Sequence, residues 1–133
     1  KAVIPGSCQS LPVGPPPIPD GATVPGIPMR AARRGGNVVI TWDVAQCPAA
    51  AVNVYSGVVG SYGAFAGATC NLPATGTATV AMPANSWFLV ASTDGASTDG
   101  SYASGTNGAE LFYSGASAVC PGITSHATNN ACP

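Results

Sequence analysis

The sequence predicts an all-β fold, an antiparallel sandwich of about seven strands. The strongest signal is the stretch Asn37–Asp43, which reads NVVITWD. Its apolar residues Val38, Ile40 and Trp42 alternate along the chain and would share one face of an extended strand. Two further observations agree: the other apolar runs are short and bounded by turn residues, and no stretch has helical periodicity. Because a buried indole needs a second layer to cover it, the pattern favours two packed sheets.

Six further strands complete the prediction. In chain order they are Met29–Arg34, Ala51–Ser56, Val58–Phe65, Thr77–Met82, Trp87–Ser92 and Ala109–Ser114. The AVNVYS run alternates, with Val52 and Val54 pointing inward. The WFLVAS run is short enough to be a buried strand rather than a helix. Arg30, Arg33 and Arg34 in the first strand are expected to be edge charges that block unwanted strand pairing.

A proline-rich arm, residues 1–28, precedes the predicted sandwich of residues 29–115, and a tail of residues 116–133 follows it. Proline excludes a helix from the arm and favours polyproline II. The arm is nevertheless more apolar than a solvated linker needs, and the candidates for assembly contacts are Val3, Ile4, Leu11, Val13 and Ile18. Something is expected to hold this arm, and both the chain's own sandwich and a neighbouring subunit fit the sequence equally.

Five cysteines predict two disulfides and one leftover thiol. They form no C-x-x-C pair, and with a single histidine the chain is a poor candidate for a zinc site. In a low-charge chain rich in Gly and Pro they indicate an oxidising, extracellular location. We expect Cys47 to pair with Cys70 and Cys120 with Cys132, each bridge contributing about 3 kcal/mol. Cys8 is then unpaired or bonded to another chain, although it could replace any of these partners.

Composition excludes several classes of function. Only 7% of the residues are charged, against about 25% in ordinary soluble proteins. The net charge of −1 argues against nucleic acid as a partner. The apolar runs are far shorter than the roughly 20 residues that span a membrane. We expect a mature chain, beginning at Lys1 after removal of a signal peptide, that is secreted or held at the cell surface. No N-x-S/T acceptor is present, so any glycan is expected to be O-linked.

The stretch Ser92–Ser101, STDGASTDGS, is a tandem five-residue repeat. In each copy an aspartate, Asp94 or Asp99, precedes a glycine, which is typical of tight turns. Calcium binding by the two carboxylates is the alternative, but calcium usually takes six or more oxygens from a denser acidic cluster. Turn formation is therefore the favoured interpretation, and no metal site or cofactor is predicted.

No catalytic residues are predicted either. His126 is the only histidine, and it lies in a Thr-, Ser- and Asn-rich tail where solvent exposure is expected. A nucleophilic serine or cysteine would need it within hydrogen-bond reach, together with a third group to orient it. Asp43 and Glu110 are the pair considered for two-carboxylate hydrolysis, and nothing in the sequence indicates that they meet.

Tyrosines give the one binding signal. Tyr55, Tyr62, Tyr102 and Tyr113 cannot all lie in the core, because some fall in loops or on the outward register. Exposed tyrosines beside Ser, Asn and Gly suit sugar stacking or protein contacts. Tyr62, Tyr102 and Tyr113 are therefore the candidates for surface binding.

The order VVITWD … VNVYSG … GSYG … C … WFLVASTDGASTDGSYASGTNGAE resembles the fibronectin type III-like domain of bacterial secreted and surface proteins. The resemblance covers roughly residues 26–115, and it implies an immunoglobulin/fibronectin III-like sandwich. Trp87 and Phe88 stand where that family commonly has a tyrosine, and the cysteine-bearing arm and tail lie outside the module. Because such a sandwich is a scaffold with many uses, the resemblance implies fold more than function.

Low charge, an apolar arm and an odd thiol together predict a non-enzymatic structural subunit of an extracellular filament or pilus-like fibre. The chain lacks the long apolar N-terminal helix through which type IV pilins polymerise. Its expected partners are therefore further copies of itself, joined by exchanged arms, or a helical pilin-like subunit on which it rests as a head. The alternative is a carbohydrate- or surface-binding adhesive module of a secreted protein.

Overall fold

The computed structural model describes residues 14–21, 24–104, 106–111, 119–128 and 132. Within them the chain forms eight strands: β1 (Arg30–Arg34), β2 (Asn37–Thr41), β3 (Ala51–Val58), β4 (Gly67–Pro73), β5 (Thr77–Ala81), β6 (Ser86–Thr93), β7 (Thr98–Asp99) and β8 (Ser125–His126). They build a three-stranded sheet in the order β1-β2-β5 and a five-stranded sheet in the order β4-β3-β6-β7-β8. The all-β prediction with two sheets is confirmed.

The small sheet is antiparallel and built around β2. A two-residue turn, Gly35–Gly36, joins β1 to β2, and β5 pairs along the other side of β2. Every residue of β1 is exposed, and β1 is an edge strand as predicted from its arginines. Arg33 folds back to donate hydrogen bonds to the carbonyl oxygens of Met82 and Pro83, at 3.1 and 3.2 Å. An edge strand with exposed cations resists pairing with another chain.

The first core lies between the two sheets. Val38, Ile40 and Trp42 point into it with 6%, 0% and 6% of their surface exposed, so the predicted inward face of the central strand is confirmed. Facing residues come from β3, β5 and β6 and from the segment after β5: Val52, Val54, Val80, Met82 and Val90. Burying each of these aliphatic side chains stabilises the fold by about 1.5–3 kcal/mol.

A second core covers the outer face of the five-stranded sheet. Its buried members are Tyr55, Ala91, Tyr102, Cys120 and Ile123, with Phe65, Cys70 and Leu89 packed against them. The C-terminal tail supplies Cys120 and Ile123 and thereby shields this face from water. Strand β3 is consequently buried on both faces, with Val52 and Val54 toward the first core and Asn53 and Tyr55 toward the second side.

Two disulfides fasten the tail to the rest of the domain, and the predicted pairing is wrong. Cys47 bonds Cys132, and Cys70 bonds Cys120, over sequence separations of 85 and 50 residues. The expectation had favoured short loops, whereas β8 places the tail beside β7 and across the sheet. The four cysteines chosen for the bridges are the right ones. Cys8 lies outside the described residues.

Two strand predictions need correction, and β4 was not predicted. Val58–Phe65 is mainly a turn region after β3, and the next strand is β4, which begins at Gly67. The segment Ala109–Ser114 was predicted as a full strand, but in its described part Glu110 makes only an isolated bridge with Ser104. Strands β7 and β8 were not predicted, because two residues are too few for any periodicity to be visible.

The described part of the arm packs on the chain's own domain. Pro15, Pro16, Pro17 and Pro19 are buried, and Ile18 packs against the first core. Ser92 Oγ donates a hydrogen bond to the carbonyl oxygen of Pro16. At Gly100 a Cβ atom would come within 2.8 Å of that same oxygen, so only glycine permits this approach. Ile18 is therefore a core contact of its own domain, whereas Val3, Ile4, Leu11 and Val13 lie outside the described residues.

Candidate functional site

The most concentrated polar chemistry is a buried cluster around Asp99, which is fully inaccessible to solvent. Oδ2 of Asp99 accepts hydrogen bonds from the hydroxyls of Tyr55, at 2.5 Å, and Tyr102, at 2.8 Å. Oδ1 accepts a third from Nδ2 of Asn53 at 2.8 Å. Three donors on two oxygens satisfy a buried carboxylate well, and this is what makes its burial tolerable.

The residues of this cluster come from β3, β4, β7 and β8 and from the segment after β7. Asn53 lies where the register between β3 and β4 shifts, and its Oδ1 accepts the backbone N–H of Asn71 at 2.7 Å. The ring of His126 in β8 stacks on the ring of Tyr102, with centroids 4.8 Å apart. Burial, and then the hydrogen bonds to Asp99, raise the pKa of Tyr55 and of Tyr102 above the ordinary tyrosine value.

The cluster corrects three predictions. Asp99 was expected to serve a turn, but it lies in β7 and is buried. Tyr102 was a candidate for surface binding, but only 2% of its surface is exposed. His126 was expected to be solvent-exposed, but it is half-buried in β8. All three errors have the same origin, because the tail covers this face and converts surface positions into core. A buried and fully hydrogen-bonded cluster acts as an anchor for β3, β7 and the tail.

The exposed carboxylate of the repeat behaves as predicted. Oδ1 of Asp94 accepts the backbone N–H groups of Ala96, Ser97 and Thr98 at 2.8–3.0 Å. These bonds, with that from Thr98 the most important, lower the pKa of Asp94. Asp94 therefore stabilises a turn, and among the described residues no group of His, Cys, Asp and Glu is arranged to hold a metal ion.

Asp43 and Glu110 have separate local roles. Asp43 accepts the backbone N–H of Ile27 through Oδ2 and that of Ala45 through Oδ1, both at 2.8 Å. The backbone N–H groups, that of Ile27 first, lower the pKa of Asp43. Glu110 accepts the hydroxyl of Ser101 and the backbone N–H of Tyr102, both at 2.8 Å. Among the described residues the two carboxylates have no hydrogen-bond partner in common.

Among the described residues, three exposed apolar side chains lie close together in the sequence, and we call them the apolar patch: Val58, Val59 and Tyr62. These side chains are 56%, 53% and 58% exposed, and they follow one another at the end of β3 and in the turn after it. The ring of Tyr62 lies 6.2 Å from that of Trp87, which in turn lies 5.8 Å from the ring of Phe65. Exposed apolar side chains that group on one surface are typical of binding sites, and Val58, Val59 and Tyr62 are the candidates for such a group.

The apolar patch lies in a part of the chain without charge. No Asp, Glu, Lys or Arg occurs anywhere in residues 44–93, which include β3, β4, β5 and β6. Depletion of charged residues marks the centre of protein–protein interfaces. The overall charge does not reveal this uncharged region, whereas a count of charged residues along the chain locates it directly.

Of the tyrosines chosen from the sequence, Tyr62 alone is placed on the surface by the described residues. Tyr113 lies outside them. Val58 and Val59 were missed because they were assigned to a strand. No described helix is long and apolar enough to cross a membrane. Two disulfides are typical of proteins in oxidising compartments.

Comparison with protein-family models, with curated proteins and with solved structures gave no match.

Proposed function

We propose that this chain is a non-enzymatic structural subunit of an extracellular filament or pilus-like surface fibre. The observation that carries the proposal is the uncharged region of residues 44–93, which exposes Val58, Val59 and Tyr62. A protein kept soluble as a monomer normally has charge spread over its surface. A subunit that packs against neighbours sheds charge where contacts form, because an unpaired charge buried in an interface is costly.

The covalent framework supports the same proposal. The bridges Cys47–Cys132 and Cys70–Cys120 close loops of 85 and 50 residues, and each constrains the unfolded chain by about 4–5 kcal/mol in the chain-entropy model. The buried Asp99 cluster adds a polar anchor between the sheet and the tail. A unit fastened in this way suits an exposed polymer that must resist unfolding outside the cell.

We further propose an immunoglobulin/fibronectin III-like arrangement of the sandwich, in keeping with the resemblance of residues 26–115. Such a module serves as a rigid body, and its partners would be further copies of the chain or a helical pilin-like subunit. Secretion and a cell-surface location belong to the same proposal, and any glycan on the chain would be O-linked.

A second candidate function is binding of carbohydrate by an adhesive module. It is favoured by one observation, the exposed ring of Tyr62 beside that of Trp87, 6.2 Å away. Aromatic faces next to uncharged polar residues suit the apolar faces of sugar rings. The two functions differ in their expected state, because a sugar-binding module acts as a monomer and a fibre subunit does not.

The test is to replace Val58 with aspartate and to express the variant in the cells that naturally produce the chain. The extracellular fraction is then sedimented at high speed. We expect the wild-type chain in the high-speed pellet and Val58→Asp largely in the supernatant. Ile27→Asp is the matched control, since Ile27 is also an exposed aliphatic residue, at 67%, and lies instead beside Asp43. Wild-type chain that stays in the supernatant and binds a glycan array through Tyr62 would favour the adhesive module.

A further inference from the structure

A groove of about 280 Å³ runs along one side of the sandwich, between β4 and β5. Its walls include the small residues Ala66, Gly67 and Ala81, and buried apolar side chains of the first core, such as Val80 and Met82, also line it. Val58 lines it as well, so the groove continues the apolar patch. Small residues on the walls leave the core accessible from this side.

The groove lies between two open strand edges. Among the described residues β4 pairs only with β3, and β5 pairs only with β2. These edges belong to different sheets, so the backbone N–H and C=O groups of one edge do not bond those of the other. An open strand edge beside an apolar groove is the surface that binds an extended peptide as an added strand, with pockets for its side chains. None of the groove's lining residues is charged, so an uncharged apolar segment suits it.

The chain itself carries such a segment. Residues 1–13 include Val3, Ile4, Leu11 and Val13, and Lys1 is their only charged residue. Extended, they would span about 45 Å. An added strand forms a new edge, so a proline is tolerable in it where the missing N–H faces outward. Because N–H groups point alternately to the two sides of a strand, Pro5 and Pro12 cannot both face outward, and the added strand must be interrupted at one of them.

Gly14, to which this segment is joined, lies on the far side of the large sheet. A Cβ on Gly14 would lie 2.7 Å from Cβ of Ala127 and 3.9 Å from Cγ2 of Thr98, which places Gly14 beside β7 and β8. In the order β4-β3-β6-β7-β8 this is the edge opposite to β4. Four strand spacings separate the two edges, about 20 Å. Both faces of the intervening sheet are covered, one by the small sheet and the other by the tail.

We propose that the groove between β4 and β5 binds residues 1–13 of a second copy of this chain as an added strand. This inference rests on the proposed fibre function and names its contact. A donor segment at one edge and an acceptor groove at the opposite edge make a head-to-tail contact, which propagates as an open chain rather than closing into a dimer. Insertion in the chain's own groove would require a detour around the covered sheet.

The leftover thiol of Cys8 provides the test. Cysteine is introduced on the groove wall, as Ala66→Cys and separately as Ala84→Cys, and at a matched exposed alanine on β1, as Ala32→Cys. Each full-length variant is prepared in light and heavy isotopic forms, and the two forms are mixed, assembled, oxidised mildly and mapped by mass spectrometry. Mapping also establishes that the two native bridges are intact.

The proposal predicts light–heavy peptides that join Cys8 to the groove positions, about tenfold more abundant than those with Ala32→Cys, because bound segments have a high effective concentration. Links only within one isotopic form would overturn it in favour of insertion in the same chain. Equal links at all three positions, or none, would overturn it as well. Fibres that form without the groove link would leave the proposed function standing, whereas a monomeric wild-type chain would contradict that function itself.

Hydrogen exchange of the unmodified chain gives a measurement that needs no added cysteine. Backbone amides of Gly67–Thr69 in β4 should exchange at least about tenfold more slowly in the assembled form than in an Ile4→Asp, Leu11→Asp variant. Equal exchange in the two forms would contradict strand addition at this edge.

Discussion

The tandem repeat provides a sharp internal test of the buried cluster, because Asp94 and Asp99 occupy the same position in two copies of S-T-D-G. Asp94 is exposed and holds a turn, while Asp99 is buried beneath the tail. We compare Asp94→Ala with Asp99→Ala. The sequence context is closely matched, so any difference in stability comes from the environment of the side chain.

The magnitude follows from the hydrogen bonds. Asp99→Ala leaves three donors without their acceptor, the hydroxyls of Tyr55 and Tyr102 and the amide of Asn53. An unsatisfied buried donor costs about 1–3 kcal/mol. Water entering the cavity would recover part of that loss, so we expect a total of about 3–5 kcal/mol. Asp94→Ala removes the acceptor of exposed backbone N–H groups, which water can replace, and should cost about 1 kcal/mol.

The assay is equilibrium unfolding in guanidinium chloride with the disulfides intact, followed by circular dichroism. Equal slopes and a much lower midpoint for Asp99→Ala are expected. Asp99→Asn should fall between the two, because its Oδ1 can still accept from Asn53. Equal effects of Asp94→Ala and Asp99→Ala would refute the assignment of Asp99 to a buried anchor.

Three further predictions concern stability. Replacing Cys70 and its disulfide partner with alanine should cost about 4 kcal/mol for a separation of 50 residues, and a loss below about 1 kcal/mol in denaturant titrations would contradict the model of loop closure. The pKa values of Tyr55 and Tyr102 are raised in the folded chain, so as the pH rises the unfolded chain loses these protons first. Their contribution to the free energy of unfolding should therefore be complete below about pH 10 and fall above it. An unfolding midpoint that is unchanged between about pH 9 and pH 11 would contradict this. Gly57→Ala should destabilise the fold and shift the tryptophan fluorescence, because a Cβ there would clash with the Trp87 ring. Unchanged emission and stability would show that the ring can move aside.

The sequence predicted the parts of the fold that have a local period. Val38, Ile40 and Trp42 alternate over a full strand, and the structure buries all three. The first core was accessible to prediction for this reason. Even the edge position of β1 could be predicted, because exposed arginines have a local physical explanation.

The second core was not predictable in the same way. Its face is buried only because the tail returns across the large sheet, and this contact depends on disulfides between residues 50 and 85 positions apart. The tetrapeptide S-T-D-G around Asp99 is typical of an exposed turn. Asp99 is buried here only because a segment distant in the sequence, the tail, covers it. Tyr102 and His126 were misplaced for the same reason. Periodicity in the sequence identifies a strand and the side chains that share one face of it. Whether that face is exposed depends here on the two disulfides that hold the tail over it.

The candidate surface was predictable in part. Tyr62 was chosen because an aromatic residue among Gly and Ser is typical of a contact site, and it is 58% exposed. Val58 and Val59 were not recognised as surface residues, because the segment Val58–Phe65 was predicted to be a strand. The groove between β4 and β5 could not be derived at all, because it depends on which strands lie at the edges of two different sheets.

Immunogold electron microscopy of the surface of cells that produce this chain tests the central proposal most directly. Antibody should be raised against an exposed site outside the apolar patch, such as β1, so that assembly does not hide it. We expect gold particles spaced along filaments, and we expect the same filaments to be absent from cells that lack the chain. Label confined to soluble, monodisperse material, with unchanged filaments or none in its absence, would contradict the proposal that this protein is a structural subunit.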